Sequence, residues 1–133
     1  NHFDSAVVED SNASNSRAVK LPGGSNSRAT VRLPLTTIAP LLKNTKDGTK
    51  YRIFVYARCG KVEQDEIAMI CDIGGITKKS IYVSEIAGSE YRKIEFYPVS
   101  LNQSMFINFM PSVNEKNQVF IDRVVVIKDE LVE

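Results

Sequence analysis

Residues 51–59, YRIFVYARC, constrain this chain more than any other stretch. Ile53, Val55, Ala57 and Cys59 alternate with Arg52, Phe54, Tyr56 and Arg58. Strand side chains point to opposite faces with period two, whereas a helix would mix the two sets. The alternation, rich in β-branched and aromatic residues, therefore predicts a strand. Its first face is apolar and suits a core. Its second carries two rings flanked by two guanidinium groups, a surface that must meet water, a ligand or a covering segment.

Other segments repeat the pattern. Residues 16–21 (SRAVKL), 29–35, 67–73 (IAMICDI), 79–84 (KSIYVS), 91–99 (YRKIEFYPV), 105–110 (MFINFM) and 119–127 (VFIDRVVVI) each predict a short strand. Val31, Leu33 and Leu35 share one face, and Pro34 places that strand at an edge or its end. Ile94 and Phe96 point in; Lys93, Glu95 and Tyr97 point out. The second half of 119–127 is apolar on both faces, which predicts cover on both sides. Turn signals separate the strands: Pro22-Gly23-Gly24, Asp47-Gly48 and Gly74-Gly75. Pro40 limits residues 36–42 (TTIAPLL) to one helical turn or a packed loop. No amphipathic helix stands out. Eight or nine short strands so spaced predict an all-β, antiparallel sandwich of jelly-roll type. The division expected is a single domain, residues 16–133, with residues 1–15 as an extension or the first strand.

At 133 residues the chain suits one domain. Its 17 basic and 16 acidic residues leave a net charge of +1, which excludes a strong electrostatic nucleic-acid or membrane binder. No apolar run approaches the ~20 residues of a spanning helix, so no membrane insertion is expected. A start at Asn1 without Met suggests a mature or excised fragment. His2 is the single histidine, which leaves no His-based metal site or catalytic triad. Cys59 and Cys71, if their segments form a hairpin, are not direct cross-strand neighbours and read as two buried free thiols.

Several of these segments resemble a known family. The residues around YRIFVYAR, the GSEYRKIEF strand and the closing VFIDRVVVIKD, preceded by ASNSRAVKLPGG, resemble galactose-binding-like β-sandwich modules. Such modules are appended to bacterial glycan-degrading enzymes and surface proteins. The third domain of insecticidal crystal toxins shows a similar pattern on a jelly roll of the same kind. The family resemblance implies a non-catalytic carbohydrate-binding module of a secreted, periplasmic or cell-surface protein. Its partners would be a polysaccharide or oligosaccharide and a neighbouring catalytic domain. It also implies a structural Ca²⁺ held by Asp122 with an acidic residue near the N-terminus, Glu9 or Asp10. The alternative is a structural or protein-interaction sandwich with no sugar site.

The candidate ligand-binding residues are Arg52, Phe54, Tyr56 and Arg58. Rings stack on the apolar C–H faces of sugars, and guanidinium groups donate to hydroxyls or pair with a uronate carboxylate. Loop residues Arg28, Lys78, Asn114 and Asn117 are polar enough to contribute at the sandwich edge. Asp65, Glu66 and Asp72, and Glu85, Glu90 and Glu95, cluster near two turns. A glycosidase needs two carboxylates at a set separation, and nothing in the spacing fixes one. No enzyme activity is therefore expected. The sequons at Asn12 and Asn102 matter only in a eukaryotic secretory host.

Overall fold

Alternation of this kind buries one face of each strand, and a sheet with one apolar face must cover it with another layer. In the computed structural model that layer is a second sheet. The structure describes residues 7–9, 17–21, 31–44, 48–60, 65–111 and 118–129. The strands are β1 (Val7–Glu9), β2 (Arg17–Leu21), β3 (Val31–Pro34), β4 (Lys50–Cys59) and β5 (Ile67–Ile73). They continue with β6 (Thr77–Tyr82), β7 (Arg92–Ser100), β8 (Phe106–Pro111) and β9 (Val119–Lys128). A five-stranded sheet runs β1-β2-β9-β4-β7 and faces a four-stranded sheet, β3-β8-β5-β6. All pairings within the two sheets are antiparallel. Only β1–β2 and β5–β6 are sequence neighbours that pair; the other connections cross between sheets. This is the predicted antiparallel β-sandwich.

The core lies between the two inner faces. β4 contributes Tyr51, Ile53, Val55, Ala57 and Cys59, all buried. Met69, Cys71, Ile73, Ile107 and Phe109 meet them from β5 and β8. Val31, Leu33 and Leu35 are buried together, and β3 is an edge strand, which accommodates Pro34. Residues 36–42 hold a helical turn, α1 (Leu35–Ile38), and a 3-10 turn over Pro40–Asn44.

Three expectations need correction. β4 and β5 lie in different sheets, so Cys59 and Cys71 do not belong to one hairpin; both are nevertheless free and buried. The strand expected over 79–84 spans Thr77–Tyr82, and a helical turn follows, α2 (Val83–Ile86). Glu85 Oε2 accepts from Tyr82 N at 2.7 Å, and Asp65 Oδ1 accepts from Ser84 N at 2.9 Å, so the first turn's amides are satisfied by carboxylates. β9 is covered on one side only over its second half. Val124 and Val126 pack on the core, while Ile127 on the outer side is 42% exposed.

Candidate functional site

β4 lies between β9 and β7, so its outward residues acquire neighbours on both sides. Phe54 stands between Glu95 and Val125, and Tyr56 between Lys93 and Arg123. Arg58 stands beside Phe120, and Arg52 beside Ile127. The structure thus brings Arg52, Phe54, Tyr56 and Arg58 onto one layer, the outer face of the five-stranded sheet.

The rings on that face are not bare. The Arg123 guanidinium lies 4.1 Å from the centre of the Tyr56 ring. Arg52 and Lys93 lie over Phe54 at 5.4 Å and 5.1 Å. Arg58 lies 4.5 Å from Phe120 and 5.5 Å from Tyr91. Rings attract cations through their electron-rich faces, so this is a layer of ring-seated cations over a sheet. Phe54 keeps only 9% of its surface exposed and lies beneath this layer. A sugar could reach its ring only by displacing Arg52 or Lys93. The groups available to a ligand are therefore mainly N–H donors, held in place by the rings.

Two β-bulges shape the face. The first falls where Tyr56 pairs with Arg123 and Ala57 with Ile121, which leaves Asp122 as the extra residue. A bulge sets two residues opposite one, so Asp122 and Arg123 both oppose Tyr56. Their side chains approach to 4.0 Å, and the Asp122 side chain is only 6% exposed. The second falls between Tyr51 and Ile53 on β4, which pair with Val99 and Phe96. Tyr97 and Pro98 thus face Arg52 alone, and Tyr97 is 90% exposed. Arg52 also pairs with Glu95 at 2.7 Å. Around them lies a cleft of about 430 Å³ lined by Arg52, Lys79, Glu95, Phe96, Tyr97, Pro98 and Asp129. Alternation alone placed Tyr97 outside; it did not show the bulge or the cleft.

The other candidates separate. Lys78 is exposed on β6, while Arg28, Asn114 and Asn117 lie outside the described residues. Glu9 lies on β1, with β2 between it and the β9 strand of Asp122; its side chain and Asp10 lie outside the described residues. Among the described residues no three His, Cys, Asp or Glu side chains gather to hold an ion. Asp72 Oδ1 accepts from Gly75 N at 3.2 Å, Glu95 holds Arg52, and Asp65 and Glu85 serve α2. These four carboxylates thus have structural work of their own. Burial pushes the Cys71 thiol up to about 12, against a minor opposing pull from Lys79, and raises that of Cys59.

No protein-family model matches the chain, and no curated protein matches it significantly. Solved structures do match its fold. A family 35 carbohydrate-binding module from Clostridium thermocellum superposes with a TM-score of 0.60 at 18% identity, covering 92% of this chain and 93% of that module. An exo-β-1,3-galactanase from Phanerochaete chrysosporium, solved with galactose, matches over 91% of this chain with a TM-score of 0.56 and 15% identity. The CBM22-1 and GH10 modules of endo-1,4-β-D-xylanase 10B from Clostridium thermocellum, solved with xylohexaose, match over 96% of this chain with a TM-score of 0.57 and 11% identity. The chain spans 25% of the length of each of these two enzyme chains. The fold is that of the β-sandwich seen in carbohydrate-binding modules.

Proposed function

We propose that this chain is a non-catalytic carbohydrate-binding module of a secreted or surface glycan-processing protein, and that it holds polysaccharide on the outer face of its five-stranded sheet. The observation that carries this is the shared layer of Arg52, Phe54, Tyr56 and Arg58. The opposite face of β4 fills the core, so the core does not need the outer-face side chains. Arg52 and Arg58, with Lys93 and Arg123, supply hydrogen-bond donors for hydroxyl or carboxylate oxygens. Phe54 and Tyr56 seat those cations, and Tyr56 is half-buried where Phe54 is buried. The likeness to a carbohydrate-binding module, and to parts of a galactanase and a xylanase chain, supports attachment to a catalytic partner. Such tethering raises local substrate concentration with modest affinity per module.

A second reading draws on the burial of Phe54: the cation-capped face is a structural layer, or one that meets another protein. Affinity electrophoresis on a panel of polysaccharides separates the two. Carbohydrate binding predicts retardation of the wild type and weaker retardation of Tyr56→Ala. Equal behaviour of the two proteins in every gel would remove the face as the site.

A structural Ca²⁺ at Asp122 and Glu9 is proposed on the resemblance. Calcium takes six to eight oxygens, and the described residues supply one buried carboxylate, Asp122. The described donor set alone does not fit the ion; Glu9 or Asp10 would have to supply a second carboxylate and backbone carbonyls the remaining oxygens. A melting temperature that falls on adding chelator is the expected result; an unchanged one counts against the ion.

A further inference from the structure

Phe54, Tyr56 and Phe120 each carry a cation over the ring, whereas among the described residues no cation lies over Tyr97. At 90% exposure Tyr97 is the most open large hydrophobic side chain described. Bulges re-aim side chains, and this one turns Tyr97 and Pro98 toward the Arg52 side of the strand pair. Tyr97 then forms one wall of the 430 Å³ cleft, a volume within the range of small-ligand sites, about 300–1,000 Å³.

Phe96 and Pro98 add apolar wall, and the charged groups around them balance. These are two cations, Arg52 and Lys79, and two carboxylates, Glu95 and Asp129. The Arg52–Glu95 pair at 2.7 Å is half-exposed, so both partners keep edges that face solvent. Lys79 comes from β6 of the other sheet and donates to the Glu95 carbonyl at 3.2 Å, which fixes its ammonium at the rim. A bare ring beside fixed donors and acceptors with no net charge matches a ligand with an apolar C–H face and neutral hydroxyls. A free acid would meet Glu95 and Asp129.

We propose that the Tyr97 cleft is a sugar subsite in which one neutral pyranose unit stacks on Tyr97 while Arg52, Lys79, Glu95 and Asp129 bind its hydroxyls. It rests on the carbohydrate-binding function above, and Arg52 makes it continuous with the sheet face. Tyr97 thereby becomes the stacking ring and the cation-capped rings become supports.

The test compares wild type, Tyr97→Ala, Tyr97→Phe and Tyr56→Ala by affinity electrophoresis in β-1,3-galactan, xylan and polygalacturonate gels. A melting curve for each variant checks folding, which so exposed a side chain leaves intact. The expected result is retardation by a neutral polymer, weakened about tenfold or more in Tyr97→Ala. Tyr97→Phe keeps the ring and should stay within about threefold of wild type. If a polymer binds and Tyr97→Ala binds equally, or if polygalacturonate alone binds, the subsite is overturned while carbohydrate binding stands. If wild type is retarded by none of the three nor by any polymer on a broader panel, carbohydrate binding itself fails.

Discussion

Replacing Phe54 by Ala separates a supporting ring from a ligand platform. Phe54 is 9% exposed, so nearly all of its side chain is removed from water. Trimming it to Ala forfeits about 2 kcal/mol of apolar burial. The two cations over the ring, at 5.1 Å and 5.4 Å, add about 0.5 kcal/mol each at such a surface. The ring lies on the outer face, so water can fill the gap and the full cavity penalty of a core truncation does not apply. The sum is about 3 kcal/mol. For a domain of this length that lowers the melting temperature by roughly 10 °C. Phe54→Leu keeps most of the apolar bulk and loses the ring's electrostatics, and should cost about 1 kcal/mol. Urea and thermal unfolding followed by circular dichroism measure both. A Phe54→Ala protein that loses under about 1 kcal/mol yet no longer binds polysaccharide would refute the reasoning, because the ring would then be an exposed contact rather than a buried support.

Two further outcomes follow from the described geometry. Gly74 and Gly75 have φ of 58° and 73°, in the left-handed region, so Ala at either should cost about 1 kcal/mol. Gly74→Ala also brings its Cβ to 2.8 Å from Met105 Sδ and should be the worse of the two in thermal melts; no loss at either position would contradict the turn. Burial raises the Cys71 thiol from 9.0 to about 12, so the folded state favours its protonated form. The associated stability is fully present below pH 9 and is lost as pH rises toward about 12, because the unfolded chain ionises first. Unfolding measured from pH 7 to 11 should show this decline only above about 9, and it should be smaller in Cys71→Ala. Equal declines in both proteins would assign it elsewhere.

Most of the sandwich was legible because burial on one face imposes period two on the residues themselves. β5 has the predicted limits, and β4, β7, β8 and β9 differ from the predicted ranges by only one residue at either end. α2 was not legible as a helix, since its amides are capped by Asp65 from 19 residues away as well as by Glu85. The shared face of Arg52, Phe54, Tyr56 and Arg58 could be read from alternation alone. The covering of its rings could not, because Lys93 and Arg123 arrive from strands far along the chain. Tyr97 was placed outside by the same alternation, but its role depends on a bulge that adds one residue to β7 opposite Arg52. Bulges leave no periodic trace, so the cleft emerges only in three dimensions.

The position of β9 in the larger sheet has a consequence for how the molecule is made. This strand comes last among those described, yet it sits in the interior of the sheet, joining β2 on one side to β4 on the other. As the polypeptide emerges, β1–β2 and β4–β7 can form only as two separate ribbons, each with an open edge awaiting the same partner. Such edges invite pairing with other chains. A protein shortened before Val119 would lose the seam that joins the halves of this sheet, and with it the backing on which Arg52 to Arg58 are displayed.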